Sequence, residues 1–450
     1  MEHQRVTFAP VLTHLVSKLL VCVGLLCSVG NDAWSQDLVN KSPQLTLAQL
    51  REARDIAKHR KRRIILNNDG NDKVKAPFTV ERFLASRTSD LADSQVDTIF
   101  YCSGVPMLYT HRSKIAEQSG VGIHQDVPGK QWVAAFNEMD TDSLEMIVNW
   151  CRQNDREVFW SMRMNDRHDS SKNWPWLITD WKRNHPQLLM GSQKDGLPAS
   201  FQRGKGSWSA MRYDKPEVRQ VVFDLIEEVC TNYDVDGIEL DFWRHPLYFV
   251  EPLQGKPVPQ AKMDEMTQLW RKVRQMTERV GRQRGRPLLI AIRIPDSMGY
   301  CRAMGLDVER WLEEDLVDIV TGADYFKLEP WENLAATGER YNVPVYACFE
   351  MRRVQGKANT KQTDAKLWRG EAYNAWQAGV DGIYLMNRFN PRDPLMRELG
   401  DPQLLETLPR VDQTSYYRPK NSFKPQDFVP NGLQYLKQPT EADGTNTESP

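Results

Sequence analysis

The chain has 450 residues, with 59 Lys and Arg against 60 Asp and Glu, a formal net charge of −1 at pH 7. That balance supplies no electrostatic reason to bind nucleic acid or an anionic membrane. The seven cysteines include no C-x-x-C pair, which argues against a thiolate metal centre and a dense disulfide scaffold.

The first thirty-five residues read as an export signal. Arg5 and Lys18 precede the apolar run LLVCVGLLCSVG, and Ala33 and Ser35 fit an A-x-A-like cleavage site, so the mature chain is expected to begin near Gln36. The run falls short of the roughly 20 residues of a spanning helix. No later segment is longer and as apolar, so a secreted or periplasmic protein with no membrane span is expected. Leu26 is a poor match for lipoprotein processing at Cys27. Five cysteines remain after cleavage. Cys151 and Cys230 fall on helix faces, and a disulfide among Cys102, Cys301 and Cys348 stays open.

After a lead-in over 36–59, one unit recurs between 60 and 411: a β-branched run, a polar loop, an amphipathic helix. The runs are RRIILNNDG, VDTIFYCSG, EVFWSMRMND, GIELDFWR, PLLIAIRIPD, LVDIVTGADY, VPVYACFEM and VDGIYLMNR. Eight strands alternating with helices predict an α/β chain closed into a (β/α)8 TIM barrel. The competing open, doubly wound sheet lacks a G-x-G-x-x-G after its first strand. In PEVRQVVFDLIEEVCTNY, Val218, Val221, Val222, Leu225, Ile226 and Val229 share a stripe, with Pro216 in the first turn and Asp214 as the expected N-cap. In the helix carrying Leu144, Ile147, Val148 and Cys151, Thr141 or Asp142 is the expected cap. Residues 412–450 change character. An aromatic and Pro-rich stretch reads as an extension packed on the barrel, and the last ten or so residues read as disordered.

The strands end alike. Apolar residues give way to Asn67, Asn68, Asp69, Arg163, Asn165, Asp166, Glu239, Asp241, Arg293, Asp296, Asp324, Glu350, Asn387 and Arg388. In a closed barrel those ends form one mouth, where barrel active sites lie. In DVDGIELDFWRHP, strand alternation puts Ile238, Leu240 and Phe242 on the helix side and Glu239, Asp241 and Trp243 on the interior side. Two carboxylates in a barrel interior need partners. Arg163 and Arg293 share the interior parity, and Arg244 and His245 follow in the loop.

The stretch YDKPEVRQVVFDLIEEVCTNYDVDGIELDFWRHP resembles the fourth-strand region of glycoside-hydrolase-like barrels, the family-ten-like glycosyl hydrolases, in which an nPeVR helix leads into a yDvDGIhlDd strand. The specific part covers about thirty-five residues, and the strand layout extends it over roughly 60–410. The resemblance implies an exported barrel acting on polysaccharide, with the family's strand-four Asp at Asp241. The chain departs from the pattern at Glu239, where a His is usual, and at Phe242, where a second acid is usual.

Glycoside hydrolysis needs two carboxyl groups flanking the scissile bond. Asp241 supplies one. Glu350 on strand seven is the preferred second, with Asp324 on strand six as runner-up, and Glu239 is expected to orient Asp241 or tune its pKa. An ion pair with Arg352 or Arg353 is the competing reading of Glu350. Trp174, Trp176 and Trp181, with Trp208 nearby, offer flat faces for sugar rings or else form a small loop core, and Trp243 is the preferred rim subsite. Asn68, Asp69, Asp166, His245 and Asn387 complete the expected substrate contacts. Arg163, Arg244, Arg293 and Arg388 fit either an anionic glycan, uronic or sulfated, or neutralisation of the acids.

Two other functions compete. A non-catalytic glycan-binding barrel would keep the tryptophans. A metal-dependent deacetylase would need clustered ligands, whereas His111, His124, His168 and His245 lie on different loops and strand one has no H-x-H. The NNDGND stretch lacks EF-hand spacing and reads as a turn. No metal or cofactor is therefore expected, and the expected partner is a carbohydrate substrate.

Overall fold

The computed structural model describes residues 44–201, 207–323, 325–350, 364–411 and 423–437. The expected leader, Asp324, Arg352, Arg353 and the last thirteen residues therefore lie outside the described residues.

Each of the eight runs forms a strand: β1 (Ile64–Asn68), β2 (Val96–Tyr101), β3 (Glu157–Arg163), β4 (Gly237–Asp241), β5 (Leu289–Ile294), β6 (Ile319–Gly322), β7 (Val345–Glu350) and β8 (Gly382–Met386). Neighbours pair in parallel, and β1 pairs with both β2 and β8, so the sheet closes into a (β/α)8 barrel. Closure leaves no edge and rules out the open sheet. A small three-stranded sheet between 104 and 118 follows β2.

Alternation along the strands sorts two cores. Ile65, Phe100, Phe159, Leu289, Ile319, Tyr346 and Tyr384 belong to an inner cluster, while Ile238, Leu240 and Phe242 join the outer one under the helices. The Phe100 and Phe159 rings stack at 4.5 Å inside the barrel. Gly237 makes room for them: a Cβ there would lie 2.4 Å from the Phe159 ring. At the N-terminal end, Arg62 and Glu157 form a buried ion pair, to which Thr98 donates at 2.8 Å.

In the helix Pro216–Asn232, Val218, Val222, Leu225, Ile226 and Val229 are buried, and Pro216 opens the first turn. Its N-cap is Lys215, with no side-chain bond, and Asp214 instead pairs with Arg212 and Lys262. Two cations outbid one backbone amide for that carboxylate. Asp142 does cap the helix Ser143–Gln153, accepting from the amides of Leu144 and Glu145. All five described cysteines are buried free thiols, so the open disulfide is absent among the described residues.

Residues 423–437 return across the ends of β5 and β6. The Tyr300 hydroxyl donates to the Pro425 carbonyl at 2.7 Å, and the Lys437 amide to the Leu328 carbonyl at 2.7 Å. Phe428 packs on Trp243 and Tyr325. No helix among the described residues is long and apolar enough to cross a membrane.

Candidate active site

The last residue of β4, Asp241, is fixed on every side. Its Oδ1 accepts from the amides of Trp243 (3.0 Å) and Arg244 (2.9 Å), and its Oδ2 from Arg293 Nη2 on the neighbouring β5 at 2.7 Å. Arg293 and Asp241 stand opposite one another in the strand register, and both are buried. The side chain is oriented and paired.

Two residues deeper, Glu239 has no arginine among its hydrogen-bond donors in the described residues. It accepts from Tyr384 Oη (2.7 Å), Asn67 Nδ2 (3.3 Å) and the Ser161 hydroxyl. Burial, then the negative charge of Asp241, pushes its pKa up to about 7, against the pull of Arg293. Glu239 is fully buried and lies two residues below Asp241 on the same face of β4. Tyr384 and Ser161 were not singled out from sequence, although their interior parity on β8 and β3 was a usable signal.

That shift carries a stability signature. A carboxyl whose folded pKa lies above its unfolded value adds stability below the unfolded pKa, and loses it as pH rises through the folded one. Between about pH 4.5 and about 7 the wild type should therefore lose stability relative to Glu239→Gln, by on the order of 3 kcal/mol. Urea unfolding of both proteins across that range measures it, and parallel profiles would refute the assignment.

Glu350, the last residue of β7, is buried and accepts from Asn387 Nδ2 at 2.8 Å. Asn387 follows β8 with φ 57°, a left-handed turn that aims its amide back at the mouth. After β5, Asp296 accepts from the amides of Leu328 and Glu329 at 3.0 Å, tethering the loop that follows β6. Burial raises its pKa to about 6.

Several expected contacts go elsewhere. Trp243 is fully buried among Tyr300, Tyr325, Phe326 and Phe428, so it is a core anchor and not a rim subsite. β4 ends at Asp241, and the alternation that predicted an open Trp243 stops there. Asn68 points to the outer side and binds Gly70, Asp72 and Arg87. Asp69 is paired with Arg87 at 2.6 Å; against the upward effect of burial, Arg87 and then Arg163 hold its pKa below the usual range. The same Arg87 bonds the Asn71 carbonyl, which makes the NNDGND stretch an arginine-pinned turn and a poor calcium loop. Arg388 turns away to Asp393 at 2.6 Å and lies over the Trp368 ring.

The histidines are less scattered than the sequence suggests. His111 bonds Ser103 and His124 bonds Glu117, but His168 and His245 meet at Asp166, with ring centroids 4.7 Å apart. Ligand atoms of Asp166, His168 and His245 lie within 4.8 Å of one another. By residue type they could hold a divalent ion, but each atom is already engaged. Asp166 Oδ1 takes the His168 Nδ1–H at 2.6 Å, Asp166 Oδ2 takes Arg163 at 2.9 Å, and His245 Nδ1 accepts the Arg167 amide at 3.3 Å. Arg163 on one side and Arg244 on the other also oppose a cation. Burial keeps His245 neutral, its pKa well below 6.5.

Of the loop tryptophans, Trp174 is exposed (41%) beside His168, with centroids 5.1 Å apart. Trp176 and Trp181 are half-buried, and Trp208 is buried. The loop therefore forms its own small core and leaves one platform beside the mouth.

No protein-family model matches the chain, and no curated protein is similar to it. Solved structures align with the chain at low identity and with TM-scores under 0.5. The PgaB (BpsB) glycoside hydrolase domain from Bordetella bronchiseptica aligns at 10% identity over 76% of this chain and 98% of that one, with a TM-score of 0.49. An alpha-L-fucosidase from Paenibacillus thiaminolyticus aligns at 14% over 77% of this chain, which spans about half (49%) of that protein, with a TM-score of 0.43. A glycoside hydrolase family 18 N-acetylglucosaminidase from Paenibacillus barengoltzii aligns at 12% over 77% of this chain and 99% of that one, with a TM-score of 0.40.

Proposed function

We propose that the protein hydrolyses glycosidic bonds of a polysaccharide or oligosaccharide at the C-terminal mouth of the barrel. One observation carries this reading: two buried carboxylates, Asp241 and Glu350, terminate β4 and β7, strands on different sides of the barrel. Their partners differ. Asp241, held by Arg293 and two amides, stabilises positive charge developing on the sugar, or attacks its anomeric carbon. Glu350, steadied by Asn387, serves as the acid that protonates the leaving oxygen. Trp174 provides a stacking face beside the mouth, and the resemblance of the β4 region to family-ten-like barrels points the same way.

The three hydrogen bonds already accepted by Asp241 favour a second reading, a glycan-binding barrel with no turnover. Incubating the protein with neutral, uronic and sulfated polysaccharides and assaying reducing ends separates the two. Released ends that vanish in Glu350→Gln support the hydrolase. Binding without release from any member of the panel sinks it.

A further inference from the structure

Arginines at the mouth are of two kinds. Arg163, Arg293 and Arg388 are neutralised by Asp166, Asp241 and Asp393, at 2.9, 2.7 and 2.6 Å. Arg244 has no carboxylate within ion-pair distance among the described residues. Its Nη1 meets Tyr325 Oη at 3.4 Å, its Nη2 meets His168 Nε2 at 3.4 Å, and its Nε is buried without a partner. These are long, weak contacts to a phenol oxygen and an imidazole nitrogen for a group with five donors. A partly buried guanidinium left this way has given up water without gaining an opposite charge.

The surroundings sharpen the imbalance. Arg167 lies close by: its guanidinium is half-buried, covers Phe423 at 4.8 Å, and has its pKa lowered by burial and by the positive charge of Arg244, against the opposite pull of Tyr325, Asp166 and Asp427. Those two acids answer the charge of Arg167, whereas Arg244 beside it has no ion-pair partner among the described residues. His168, which touches Arg244, also carries the exposed Trp174 against its ring. A stacking platform and an unneutralised cation therefore flank one imidazole. The backbone of Arg244 is in turn bonded to Asp241, which ties this cation to the candidate catalytic carboxylate.

We infer that Arg244, beside Arg167 and Trp174, forms a subsite for an oxyanion carried by the sugar, a uronate carboxylate or a sulfate ester. This rests on the glycan-processing reading of the mouth and names its substrate class. A carboxylate or sulfate presents two oxygens in the spacing of the guanidinium fork, and Trp174 offers the adjoining flat face. The three paired arginines are not part of the subsite, because their charge is already spent on Asp166, Asp241 and Asp393.

The test is binding measured apart from turnover, by titration calorimetry of the full chain. Its probes are two matched pairs: polygalacturonate with its methyl ester, and a sulfated galactan with its desulfated form. The acidic member of at least one pair should bind about tenfold to a hundredfold tighter than its neutral partner, and the pair that shows this identifies the anion. Arg244→Met should abolish that preference, bringing the acidic and neutral members of the pair to equal affinity. Arg244→Lys, which keeps the charge and loses the fork, should retain part of it and reads the subsite even where the Met variant misfolds. Equal binding within both pairs, or an undiminished preference in Arg244→Met, overturns the subsite. A preference without any released reducing ends would sink the hydrolase and leave the subsite standing. Turnover without preference would do the reverse.

Discussion

Asp241→Asn should destabilise the fold by about 3–5 kcal/mol, because it removes the carboxylate from a buried ion pair with Arg293 at 2.7 Å. The amide side chain can still accept from the amides of Trp243 and Arg244 through its oxygen, but its NH2 then faces the Arg293 donor. The loss should therefore come from the broken ion pair and not from the loop. Arg293→Met should cost less in the Asp241→Asn background than in the wild type, a coupling that a double-mutant cycle reads from the urea midpoints. Equal midpoints for Asp241→Asn and the wild type would show that the pair contributes nothing. This also changes how the catalytic role is tested. Lost turnover in Asp241→Asn is informative only beside its unfolding curve, which must show the protein folded under assay conditions.

Glu350→Gln is the cleaner catalytic test. If Glu350 supplies the proton, the variant should lower kcat by about 10²–10⁴-fold on any glycan from which the wild type releases reducing ends. Asn387 can go on donating to the new side chain's oxygen, so the local geometry has a reason to persist. Glycan affinity should stay near the wild-type value, placing the loss in kcat and not in KM. Turnover within a few-fold of the wild type would remove Glu350 from the mechanism.

The barrel was legible because its signal is repetitive. Eight β-branched runs, each followed by helical spacing, leave few ways to bury both faces of a parallel sheet, and closure satisfies every strand edge. The period-2 alternation likewise placed Glu239 and Asp241 inside and Ile238, Leu240 and Phe242 under the helices. Asp142 was readable as a cap because capping is local.

What depended on the tertiary structure was partnership. Trp243 inherited an interior reading from an alternation that ends with β4 at Asp241, and Phe428, 185 residues on, helps to bury it. Charges of one sign along a sequence do not say which acid each will meet. Arg163 turned to Asp166, Arg388 to Asp393 and Arg293 to Asp241, while Arg244 met no carboxylate among the described residues. His168 and His245 lie on loops after different strands and meet at Asp166 because β3 and β4 are neighbours in the barrel. Backbone periodicity repeats along the chain and can be read from it. Side-chain pairing is a competition among groups brought together by closure, and only the closed barrel settles which of them meet.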